Sequence, residues 1–196
     1  MTDYRSEPGV GARIKLARRQ RGYRTTRELA DAIPGGNVTA AVLENIESGR
    51  KADISVSQLL NIARGLGVPP SMLLAPIGSP SSELDLPNLS DQFNGMTAAE
   101  FDCWLSATPA SSYKPRLAAE RVDTDVLNSL RELGTLRREL ERLRMVLDVQ
   151  SASGDPDLLG SSDDVRNRID RVTSEASRVA GLLVNAGISD GSDNAS

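Results

Sequence analysis

The side chains able to do chemistry in this chain are mostly cations, and cations hold anions. The 196 residues include no His and one Cys, Cys103. Without His the commonest general base is missing. One thiol cannot form an internal disulfide, and zinc sites need several Cys or His ligands. No catalytic residue, metal site or cofactor is therefore expected. Cys103 has no evident neighbour to lower its pKa and reads as a quiet structural thiol. The net charge of −4 hides an asymmetry. Residues 1–75 hold eleven Arg and Lys against seven Asp and Glu, a balance of +4. Residues 76–196 hold twelve against twenty, a balance of −8. Phosphate contacts supply most non-specific affinity for nucleic acid, so the basic end is where a polyanion would bind. The acidic remainder is expected to face protein or water.

The elements that carry these charges read as helices. Hydrophobic residues make up 39% of the chain and aromatics 3%, which favours aliphatic helix packing over an aromatic-lined core. No run of about 18 apolar residues is present to span a membrane. The start, Met1 to Pro8, has no apolar stretch of the secretory kind. A reducing cytoplasm is the expected compartment, at the nucleoid if the polyanion is DNA.

From Val10 to Leu74 the apolar spacing predicts five short helices, near 10–21, 26–33, 39–48, 56–66 and 70–75. Thr25, Thr39 and Ser55 sit at N-cap positions, where a side-chain oxygen accepts from free backbone donors. Residues 76–96 are rich in Pro, Ser, Gly and Asn and read as a linker within 76–117. Thr97 and Glu100 form a capping-box pattern that opens a short helix to about Ser106, with Phe101, Trp104 and Leu105 on one face. That face is read chiefly as a docking patch on the protein's own surface.

A long helix follows over about 118–151. Val122, Val126, Leu133, Leu136, Leu140, Leu143 and Leu147 form a heptad seam with a gap at Ser129. Glu132 with Arg137, and Glu139 with Arg144, have the spacing that pairs helices in parallel coiled coils. A second seam runs through Val165, Ile169, Val172, Ala176, Val179, Leu183 and Ala186. The oligomerisation region is thus 118–188, and the polar tail 189–196 is expected to be disordered. Two arrangements stay open: pairing between chains, or a hairpin folded back within one chain.

Several short pieces recur in a recognisable order: Arg21-Gly22, Glu28-Leu29-Ala30, Ile46-Glu47-Ser48-Gly49-Arg50, Leu60-Asn61-Ile62-Ala63 and Leu66-Gly67-Val68. Together they resemble the Cro and phage-repressor-like (XRE) helix-turn-helix family over residues 10–75. The sequence departs from that pattern by an extra Arg24 and by Pro34-Gly35-Gly36, which lengthen the connections around the second helix.

The resemblance implies an all-α, five-helix, lambda-repressor-like DNA-binding domain at 1–75, and a transcription regulator, most simply a repressor, that acts on double-stranded DNA as a homodimer. Its third helix would enter the major groove, where all four base pairs show distinct patterns. Ala40, Ala41, Glu44 and Asn45 would face outward there, with Val38, Leu43 and Ile46 anchoring inward. Thr26, Thr39, Arg50 and Lys51 would contact phosphate, with Arg13, Arg24 and Arg27 as further clamps. Arg18 matches a position that pairs, buried, with Glu47; Arg19 and Arg21 read as solvated. With Ala40 and Ala41 in the reading face, part of the specificity is expected from DNA shape.

The sequence bears on two other functions. A self-cleaving Ser/Lys protease tail needs an activating Lys and a β-rich fold; after residue 75 the sole Lys is Lys114, in a loop. An antitoxin or adaptor, whose helical tail binds a partner protein while the helix-turn-helix autoregulates, stays open.

Overall fold

The computed structural model describes residues 3–108, 113–153 and 159–188. Among them the chain is all-α: eight helices and two 3₁₀ turns, with one isolated bridge, Glu83 to Thr97, in place of any strand. It divides into two compact units, residues 1–114 and 115–196. Residues 154–158, between the long helices, and the polar tail from Ser189 lie outside the described residues.

The first unit starts with a 3₁₀ turn, Tyr4–Ser6, then α1 (Val10–Gln20), α2 (Thr26–Asp31), α3 (Ala40–Glu47), α4 (Val56–Leu66) and α5 (Ser71–Leu74). These match the expected helices to within two residues at most ends. The predicted caps are made: Thr25 accepts from Glu28 N–H, Thr39 from Val42 N–H and Ser55 from Gln58 N–H. Each satisfies one of the backbone donors left free at a helix start. α4 stops at Gly67, which is left-handed at φ 63°, a conformation nearly free of strain only without a Cβ.

The core follows from helical spacing. Ile14 and Ala17 of α1, Leu29 of α2, Leu43 and Ile46 of α3, and Ile62, Ala63 and Leu66 of α4 are all buried around Val38, Val68 and Leu73. α1 and α3 meet backbone to backbone at Gly11, where any Cβ would collide with the carbonyl of Ile46.

The segment expected to be a linker instead packs onto this core. Ala75, Ala98 and Phe101 are buried among Leu74, Ile77, Leu84, Phe93 and Met96, and Leu86 touches both this cluster and the main one. Leu84 N–H donates to Met96 O and Ala98 N–H to Ser82 O, both at 2.8 Å, closing the loop on itself. Gly78 N–H donates to Arg5 O at 2.9 Å, tying in the N-terminal turn. α6 (Ala98–Ser106) opens with the expected capping box of Thr97 and Glu100. Phe101 faces inward, while Trp104 lies at the surface with Phe93 edge-on, ring centres 5.3 Å apart.

The second unit is a helical hairpin, α7 (Ala118–Ser153) and α8 (Leu159–Asn185). Leu133 is buried with Val179 and Leu183, Glu139 bonds Arg168, and Gln150 accepts from Ser162. The partner's number falls as α7 advances, so the helices run antiparallel. The two seams cover each other within one chain. Val122 and Ala186, placed on the seams by their spacing, are exposed instead. Glu139, expected to reach across a dimer, is held by Arg142 and Arg168 of its own chain at 2.9 and 3.0 Å.

Candidate nucleic-acid interface

α3 is held on its inner side and bare on its outer side. Leu43 and Ile46 are almost fully buried, while Ala41, Glu44 and Ser48 are exposed and Ala40 and Asn45 half-buried. Glu47 turns toward α1, where its carboxylate meets the Arg18 guanidinium in a two-pronged pair of 2.6 and 2.8 Å. Both side chains are under a tenth exposed. Arg18 also donates to Tyr23 O at 2.8 Å, which fixes the turn after α1. The hydrogen bond to Glu47 raises the Arg18 pKa further above its already high value, so the guanidinium stays charged. The Arg18–Glu47 pairing implied by the family resemblance is present.

Beyond α3, Lys51 N–H donates to Asn45 O at 2.9 Å, and Arg50 Nε donates to the Ser48 hydroxyl at 3.1 Å. These bonds fold the exit loop back along the helix end and leave Arg50 exposed. Lys51 is half-buried, and its Nζ donates to Gln58 Oε1 at 2.8 Å.

The lengthened turn before α3 is anchored by a polar network that the sequence reading missed. Asn37 donates to the Ser57 hydroxyl and accepts from Asn61, at 2.9 and 2.7 Å, and its carbonyl accepts from Gln58 Nε2 at 3.0 Å. Gln58 therefore links the turn before α3 to Lys51 after it. The signal was present in the spacing Ser55-x-x-Gln58, a capping-box pattern, and both halves of that box are formed.

At the start of α2 the expected phosphate ligands are unequally engaged. Thr26 donates its hydroxyl to Glu44 Oε1 at 3.3 Å. Arg24 N–H donates to Glu28 Oε2 at 2.6 Å, leaving the Arg24 side chain exposed. Arg27 is exposed and stands 4.0 Å from Asp31, a surface contact that holds it weakly. Thr39 spends its oxygen on the α3 cap.

Arg13 is a correction. Expected as a phosphate clamp, its side chain is wholly buried. Its nitrogens donate to the carbonyls of Glu7, Leu73 and Leu74 and to both oxygens of Asp85. It cannot reach a ligand outside. The docked segment also changes the charge. Residues 76–108 carry five Asp and Glu and no Arg or Lys, so residues 1–108 hold eleven cations against twelve anions. Any attraction for a polyanion is thus local, at α3 and its exit loop, and does not come from the unit's net charge.

Among the described residues no group of three His, Cys, Asp or Glu is placed to hold a metal ion, and no helix is long and apolar enough to cross a membrane. Comparison of the chain with protein families, curated proteins and solved structures gave no match.

Proposed function

We propose that this chain is a sequence-specific DNA-binding transcription regulator of the XRE type, acting as a repressor in the cytoplasm at the nucleoid. The observation that carries this reading is α3. It is one amphipathic helix, fixed from behind by Leu43, Ile46 and the Arg18–Glu47 pair. It presents Ala40, Ala41, Glu44 and Asn45 outward and is followed by an exit loop that carries Arg50 and Lys51. A B-DNA major groove accepts one such helix, and cations at its end suit the flanking phosphates.

A single unit of this size reads few base pairs, and regulators of this kind double the reading by two-fold symmetry. The hairpin supplies a means. It leaves Leu127, Leu130, Met145, Val149, Leu182 and Val184 at least two-fifths exposed, while few large side chains of the pair are fully buried. A second copy packed on that surface makes a four-helix bundle and joins two DNA-binding units. The same exposed residues favour the second reading, an adaptor or antitoxin whose hairpin holds a different protein.

Selection of bound duplexes from a random DNA pool tests the proposal. An enriched inverted repeat is expected. A single asymmetric site points to a monomeric reader and removes the homodimer. No enrichment at all ends the assignment to DNA.

A further inference from the structure

Glu44 occupies the centre of the exposed strip of α3. One turn before it stand Ala40 and Ala41, and one turn after it Ser48, which α3's own periodicity places on the same side. The two alanines have no hydrogen-bonding side chain. Asn45 lies at the strip's edge, half-buried. Glu44 is therefore the long polar side chain that reaches outward from the middle of the face. Its placement is biased by Thr26 at the start of α2, which donates its hydroxyl to Oε1 at 3.3 Å. Thr26 is available for this because Thr25, one residue earlier, makes the helix cap.

We infer that Glu44 is the residue that sets base specificity and that it reads cytosine, with Thr26 as its positioning residue. This rests on the reading of α3 as the groove helix. A carboxylate only accepts hydrogen bonds. In the major groove cytosine offers the N4 amino group, whereas guanine shows N7 and O6, and thymine O4, all acceptors that repel a carboxylate. Adenine has an amino group, but its N7 acceptor lies beside it. Selection for one base and rejection of three thus arise from the same group. With Oε1 tethered by Thr26, the other carboxylate oxygen is left to meet the base, and ordering before binding reduces what binding must supply. Thr26 then acts through Glu44 and not on phosphate; a phosphate placed there would face the Glu44 carboxylate.

The test compares motifs selected by the full-length protein and by Glu44→Gln, Thr26→Ala and Thr26→Ser, followed by titrations over several salt concentrations. The wild type should lose roughly 5- to 150-fold in affinity when the cytosine is replaced. Glu44→Gln should shift that one position toward adenine, since a carboxamide can pair with both N6 and N7. Thr26→Ala should shrink the cytosine preference several-fold with the salt dependence unchanged, and Thr26→Ser should restore it. If Glu44→Gln keeps the wild-type preference at every position, Glu44 merely closes the start of α2 and the inference is overturned. If Thr26→Ala weakens all sequences equally and leaves discrimination intact, Thr26 is a phosphate ligand and its positioning role is overturned. Specific binding with either of those results defeats the inference alone, whereas absence of specific binding by the wild type defeats the DNA reading as well.

Discussion

Arg13 and Asp85, 72 residues apart in sequence, form a two-pronged ion pair with both contacts at 2.7 Å. Arg13 is fully buried and the Asp85 side chain one quarter exposed. Asp85 also accepts from Gly9 N–H, so one carboxylate fastens the start of α1, its buried Arg13 and the docked segment together. Removing one partner of a buried pair leaves the other charge without compensation. Asp85→Ala should therefore destabilise the first unit by about 3 kcal/mol, near the low end for buried pairs because Asp85 is partly solvated. Urea unfolding measures this, and a change under 1 kcal/mol would show that the segment is only loosely attached.

The same carboxylate predicts an acid response. Burial works to raise the Asp85 pKa, but the Arg13 hydrogen bonds, the Gly9 N–H and the Arg13 charge together hold it below its usual 3.8. A depressed folded-state pKa contributes stability above the unfolded value, and that stability is lost as pH falls through the folded value. The wild type should lose stability below about pH 3.8 more steeply than Asp85→Asn, which has no carboxyl to protonate. Parallel acid titrations followed by circular dichroism compare them; identical slopes would count against the pair as the source.

Arg18 and Glu47 should behave as one unit. Each single truncation to Ala strands a buried charge and should cost about 3–5 kcal/mol. A double replacement by apolar side chains of similar length should cost much less than the two singles added together. A double-mutant cycle measures the coupling. Simple additivity would mean that the pair is solvated in solution.

Arg50→Ala should weaken binding to all DNA sequences alike and lower the salt slope by about one. Lys51→Ala should do so too, and should also release Gln58, its hydrogen-bond partner at 2.8 Å. Asn45→Ala should relax one base position by roughly 1–3 kcal/mol if its contact is to a base edge. Unchanged affinity in all three variants, measured at several salt concentrations, removes α3 from the groove.

The full-length protein should sediment as a dimer at micromolar concentration. Met145→Glu with Val184→Glu should give a monomer of unchanged helix content, since both side chains are more than three-fifths exposed. A monomeric wild type would end the homodimer reading.

Local features were legible and distant partnerships were not. Thr25, Thr39 and Ser55 announce helix starts because a cap is a matter of four consecutive residues. Ile14, Leu43 and Ile62 announce the core because helical period is also local. Arg13 was misplaced because its partner lies in a Pro-, Ser- and Asn-rich stretch whose composition is that of a linker. Nothing in that composition says that Leu84 and Leu86 find a surface to bury against, whereas the docking expected of Phe101 was legible from the apolar face of its helix. The heptad seams of α7 and α8 were visible as apolar stripes, but a stripe does not name the chain that covers it. Thr26 and Glu44 were each picked out, yet their contact depends on how α2 is set against α3, which no local rule supplies.

Gly11 offers a genetic handle. Its closest approach is to the carbonyl of Ile46, so a single added methyl acts as a wedge between α1 and α3. Gly11→Ala alters no residue of the reading face, yet it shifts the helix that carries that face. Such a change suits a temperature-sensitive allele: control retained in the cold, where the strained packing still closes, and released on warming. On the proposed repressor reading, mutations that derepress target genes should therefore turn up at a position outside the reading face.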